Sequence, residues 1–134
     1  MRVVFDTNVL ISALVIGGRA AEAVERVIAG RDHLICSRPL LDELLSVLAS
    51  KFSRDGEQLS RVALFLAEIG ELVAPSQEIT LLADGPDNRV LECAVAGRAD
   101  TIVTGDRAML EQHSFQGIAI MTLRDYLASQ SPPP

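Results

Sequence analysis

The sequence has no tryptophan, one tyrosine and four phenylalanines, so an aromatic platform for stacking bases is poorly supplied. Lysine is almost missing as well: Lys51 stands alone beside eleven arginines, scattered along a chain of formal charge −6. That pattern excludes a broad basic surface for nucleic acid. The two cysteines, Cys36 and Cys93, form no CxxC pair and are too few for a disulfide scaffold, so reduced thiols and a cytoplasmic location are expected. The two histidines, His33 and His113, have no zinc-like spacing. The longest apolar run is broken by Ser12 and stops at Gly17, short of a membrane span, and no charged-then-apolar leader is read ahead of the first motif. Neither the GxSxG turn of serine hydrolases, nor the GxxxxGKS/T phosphate loop, nor the dinucleotide GxGxxG occurs.

What is present is an ordinary apolar core. Of the 134 residues 49% are hydrophobic, enough to fold without staples. No Pro/Gly/Ser-rich break divides them, so one domain is expected over residues 1–128, with a disordered tail at 129–134.

The apolar pattern alternates between two periods. Val3-Val4-Phe5 is a β-branched run ending at Asp6, after which Val9, Leu10, Ala13 and Leu14 recur at helical spacing. Ala20, Ala23, Val24, Val27 and Ile28 form a second helical stripe, followed by a short strand from His33 to Cys36. Ser37 and Pro39 open a third helix with Leu40, Leu41, Leu44, Leu45 and Leu48 as its apolar face. A fourth helix carries Leu59 to Ile69, and Leu72-Val73-Ala74 is the third strand. Beyond the turn Asp84-Gly85-Pro86 come a helix with Val90, Leu91, Ala94 and Val95, a strand at Thr101–Thr104, a short helix from Arg107, a fifth strand at Ile118–Met121 and a last helix at Leu123–Ala128. Five short strands alternating with helices predict the α/β class, with a five-stranded parallel sheet covered on both faces. Ligands of such sheets sit outside the carboxyl ends of the strands.

Carboxylates gather where that edge is expected. Asp6 ends the first strand, Asp106 follows the fourth, Asp87 lies at the start of the helix before the fourth, and Glu43 sits in the second turn of the helix after the second. Converging carboxylates repel one another unless a proton or cation relieves them. An all-oxygen set suits Mg²⁺ or Mn²⁺, and such an ion supports phosphodiester hydrolysis. Each acid also has a plainer role: Asp6 and Asp106 as helix caps, Asp84 or Asp87 as a cap, Glu43 as a solvated charge. The helical wheel does not separate Asp42 from Glu43, and Glu92 reads as a solvated charge.

Taken in order, Val-Val-Phe-Asp6-Thr-Asn8-Val-Leu-Ile-Ser, Leu41-Asp42-Glu43-Leu44, Asp87-Asn-Arg-Val-Leu-Glu-Cys-Ala94 and Val103-Thr104-Gly105-Asp106 resemble the PIN-domain superfamily. The similarity is greatest to the bacterial and archaeal branch of VapC-like toxin components. It extends to about Leu127 and implies a three-layer α/β sandwich, Mg²⁺ or Mn²⁺, single-stranded RNA as substrate, frequent homodimers and often inhibition by a small antitoxin protein. Carried over by motif, Asp6, Glu43, Asp87 and Asp106 are the catalytic, metal-holding acids, with Asn8 and Thr104 in support. Asp87 is chosen over Asp84 because it stands seven residues before Ala94, and Asp84 stays an alternative.

Two other classes compete. A haloacid-dehalogenase-like phosphatase would use Asp6 as nucleophile. Its partner acid two residues on is replaced by Asn8. A non-enzymatic binding module with a degenerate acidic site would leave the same acids as caps.

Overall fold

In the computed structural model, residues 1–129 are described. The expected tail from residue 130 on lies outside them, while Ser129 is the C-cap residue of the last helix. The elements run β1 (Arg2–Phe5), α1 (Thr7–Ile11), a π-helical turn (Ser12–Ile16), α2 (Gly18–Ile28), β2 (His33–Ser37), α3 (Arg38–Lys51), α4 (Gly56–Ile69) and β3 (Gly70–Val73). They continue with α5 (Gly85–Ala96), β4 (Thr101–Val103), α6 (Arg107–Leu110), β5 (Ser114–Phe115), β6 (Ile118–Met121) and α7 (Leu123–Ala128).

The sheet order is β3-β2-β1-β4-β6-β5. All neighbours pair in parallel except β5 and β6. The five strands read from the sequence are all there, in a sheet of six rather than five. The extra strand, two residues long, is a hairpin partner of β6 across Gln116-Gly117, both at positive φ (49° and 81°). That is the backbone a two-residue hairpin turn requires. A pair of residues carries no period of its own, which is why β5 left no signal.

β1 lies at the centre of the sheet because Val3, Val4 and Phe5 can be buried on both faces at once. One face packs Val4, Ile35 and Ile102 against Val90, Leu91 and Ala94 of α5. The other packs Phe5 and Val103 against α1, α2 and the ring of Tyr126. The helix expected through Leu14 is α-helical only as far as Ile11. It widens to a π turn, closed by the Gly17 N–H on the Ser12 carbonyl at 2.8 Å, and Gly17 at φ 92° then turns the chain into α2. Of the α2 stripe, Ala20, Ala23, Val24 and Val27 are buried, whereas Ile28 is 59% exposed. Among the described residues no single helix is long and apolar enough to cross a membrane.

Glu92 is not the solvated charge its place on the helix wheel predicts. It is 7% exposed, and the stretch between β3 and α5 folds over it. Its Oε2 accepts from the Ile79 amide and from Arg89 Nη2, both at 2.8 Å. Arg89 Nε lies 2.8 Å from Oε1 as an ionic contact without an aligned hydrogen bond. One turn earlier, Asn88 donates to the Leu82 carbonyl and accepts from its amide, each at 2.8 Å. These two clamps fix the chain entering α5, and with it the height of Asp84 and Asp87 above the sheet.

Removing the Glu92 carboxylate orphans a buried amide and a half-buried guanidinium. Glu92→Ala is expected to cost about 2–3 kcal/mol in urea unfolding. Arg61→Ala, which breaks the exposed pair with Glu57, is expected to cost less than about 0.5 kcal/mol.

Candidate active site

Thr104 organises the carboxyl edge. It follows β4, its amide donates to the Met121 carbonyl at 3.0 Å, and it is buried. Its hydroxyl donates to Asp6 Oδ2 at 2.7 Å and accepts from the Asp106 amide at 3.0 Å. Asp6 is 6% exposed, and its own amide donates to the Val103 carbonyl at 2.9 Å, prolonging the β1–β4 pairing. Asp6 makes no side-chain cap on α1. Asp106 does cap, accepting from the Met109 amide at 2.9 Å through Oδ2.

The other acids come from α3 and α5. Glu43 Oε2 accepts from the Thr7 hydroxyl at 3.3 Å, across 36 residues of chain. Asp42 instead lies exposed, paired with Arg38 at 3.0 Å within its own helix. The structure thus distinguishes two neighbours that the helical wheel left level. Asp87 is in the first turn of α5 and 9% exposed. Asp84 is the exposed N-cap residue of that helix, without a side-chain capping bond. Asn8 is exposed at the start of α1.

The acids perturb one another. Burial raises the Asp6 pKa, and the charge of Asp106 adds to it; the Thr104 hydroxyl and the amides of Thr7 and Asn8 oppose the rise. Burial also raises Glu43, helped by the charges of Asp6 and Asp84 and opposed by Thr7. Asp87 is pushed up to about 7, first by burial and then by Asp106, Asp84 and Asp6. The charges of Asp6, Asp84 and Asp106 therefore act on their acidic neighbours Asp6, Glu43 and Asp87 in one shared field. Asp84, the alternative to Asp87, belongs to this group as a charge.

Among the described residues no three Asp, Glu, His or Cys side chains meet in a ready-made chelate. The donors are nonetheless the hard oxygens that Mg²⁺ and Mn²⁺ take. Mg²⁺ commonly keeps several waters and uses only one or two carboxylates. Burial is the main cause of these rises and neighbouring negative charge adds to it; that added repulsion is what a divalent cation would relieve, so the residues fit such an ion in chemistry and in charge. Thr7, which orients Glu43, was missed in the sequence. Its only signal there is its place directly after Asp6.

Fold and site together define an α/β protein with a cluster of interacting carboxylates at the carboxyl edge of its sheet. Residues 2–108 match the family model described as PIN domain, and the chain belongs to that family. No curated relative matches the sequence. Among solved structures the chain is similar to VapBC2 from Rickettsia felis bound to a DNA fragment from its promoter, at 18% identity and TM-score 0.67. That match covers 91% of this chain and 98% of the other. It is also similar to VapBC-1 from nontypeable Haemophilus influenzae, at 19% identity and TM-score 0.66, covering 92% and 99%. Both likenesses are of fold.

The Asp87 shift fixes a sign. The folded protein holds this proton up to about pH 7, whereas the unfolded chain releases it near the ordinary 3.8. The contribution to stability is complete below the lower value and lost as pH rises through the upper one. In EDTA, the melting temperature should fall between pH 5 and 7 by more in the wild type than in Asp87→Asn. Parallel profiles would contradict the shared field.

Proposed function

We propose that this chain is a metal-dependent endoribonuclease that hydrolyses phosphodiester bonds of single-stranded RNA, acting as the toxin of a toxin–antitoxin pair. The observation that carries the reading is the convergence of Asp6, Glu43, Asp87 and Asp106, from four separate elements, into one mutually repelling group at the sheet edge of a PIN domain. The toxin role draws support from the likeness in fold to the two VapBC assemblies. The same reading takes the protein as cytoplasmic, homodimeric and held by an antitoxin protein until released.

Asp6, Glu43, Asp87 and Asp106 would hold Mg²⁺ or Mn²⁺. Such an ion supplies Lewis-acid activation of water and neutralises charge on the phosphoryl oxygens. The protein's own contribution is orientation. Thr104 fixes the rotamer of Asp6 and the backbone of Asp106 with one hydroxyl, and Thr7 does the same for Glu43. Burial of Asp6, which is 6% exposed, leaves its carboxylate little access to water. Asn8, exposed two residues after Asp6, would donate to a phosphate oxygen.

The open spacing of the acids favours one rival, a binding module that has lost turnover. Cleavage separates the two. With a labelled single-stranded RNA and Mn²⁺, the wild type should cut and EDTA should stop it. Asp6→Asn and Asp87→Asn should each lose at least about 100-fold, and Thr104→Val about 10- to 100-fold as a supporting partner. Wild-type protein that leaves every RNA intact, or both Asn variants cutting normally, would overturn the nuclease. Growth arrest on expression without a partner, relieved by Asp6→Asn, is the expected result for a toxin.

A further inference from the structure

A groove of about 340 Å³ opens beside Thr104, the residue bonded to Asp6, and is walled by α1, α2 and α7. Its lining is mostly apolar, with buried Val9 and half-buried Leu123, while exposed Asn8 and Arg124 stand at the rim. Arg124 is the one charged residue in that lining. Among the described residues it makes no ion pair or hydrogen bond. Five other arginines are engaged: Arg2 with Glu71, Arg38 with Asp42, Arg61 with Glu57, Arg89 with Glu92, and Arg26 with carbonyls of the α7 end. Arg19, Arg31, Arg54, Arg98 and Arg107 likewise make no side-chain bond among the described residues, but none of them lines this groove. In a chain of net charge −6, an unneutralised guanidinium in the groove that Thr104 and Gly105 also line is complementary to an anion arriving there.

A single nucleic-acid strand presents apolar sugar and base faces next to phosphates, and the groove presents an apolar wall next to one cation. Its volume falls within the range of roughly 300–1,000 Å³ of small-ligand pockets, room for a nucleotide and not for a duplex. No aromatic residue lines it, so bases meet it by apolar contact and without sequence preference. We infer that this groove seats the single-stranded phosphodiester chain adjoining the bond to be cut, and that Arg124 is a positioning residue for its phosphate. The identity of this occupant rests on the nuclease reading.

The test measures binding and cleavage separately. With Ca²⁺ to neutralise the acids and a gel to confirm that the strand stays intact, fluorescence anisotropy follows a labelled single-stranded RNA over a salt series. Arg124→Ala should weaken binding about fivefold and make the slope of log K against log salt shallower by about 0.7, the share of one phosphate on a single strand. Arg124→Lys should keep the slope, and the melting temperature should not move, since Arg124 is exposed and unpaired. In Mn²⁺, Arg124→Ala should raise KM and spare kcat. The loss should be the same on single-stranded DNA, which carries the same phosphates; a loss confined to RNA contradicts phosphate recognition. Arg124→Ala binding as the wild type does, in a protein that cuts RNA, overturns the groove and leaves the nuclease standing. Arg124-dependent binding without cleavage supports the groove and removes the nuclease. Duplex RNA competing as well as a single strand, or no binding of any strand, overturns the groove.

Discussion

Repulsion among carboxylates held on rigid elements is the constraint on which this site depends. Asp6, Asp87 and Asp106 do not drift together; they are anchored where β1, α5 and β4 deliver them. Asp6 and Asp87 are therefore costly to ionise, first because they are buried and then because of the charges beside them, and the rise of Asp87 to about 7 expresses that cost. The Thr104 hydroxyl makes the crowding sustainable, lowering the energy of ionised Asp6 and fixing the backbone of Asp106. A site so built is stabilised by positive charge: by a proton at acid pH and, on the proposed reading, by a divalent cation.

The sheet turns this local tension into a positioned site. Parallel strands deliver their carboxyl ends to one edge, and β1 and β4 are neighbours, so Asp6 and Thr104 meet although 98 residues separate them. The clamps by Asn88 and Glu92 on the chain entering α5 hold the third contributor against the same edge. Arg124 extends the logic outward, since α7 follows β6, the strand paired with β4 on its other side. Asp6, Thr104 and Arg124 thus all lie beyond the carboxyl ends of three neighbouring strands of one sheet, β1, β4 and β6.

Much of this was legible in the sequence where information is local. The β-branched Val3-Val4-Phe5 and the leucine stripe of α3 carry their own periods, and the structure follows them. Asp6, Glu43, Asp87 and Asp106 were legible as motifs in order; the helical wheel alone left Glu43 level with Asp42, and the Thr7 contact that separates them is one only the fold brings near. What the sequence hid is non-local or very short. Glu92 points away from its helix's apolar stripe, and the fold covers it with another segment. The β5 hairpin arm is too short for any pattern, and the π turn at Ser12–Ile16 keeps a helix-like apolar spacing while changing its winding. In each case the deciding contact is made by residues distant in the chain or by backbone geometry.

The central claim is that these acids are a seat for a hard divalent cation. Calorimetric titration of Mn²⁺ into the metal-free protein at neutral pH tests it most directly, with Asp6→Asn measured alongside. The account predicts saturable binding to the wild type and marked weakening in Asp6→Asn, with both proteins folded. Mn²⁺ giving no saturable heat with folded wild type, or binding Asp6→Asn equally well, would contradict it.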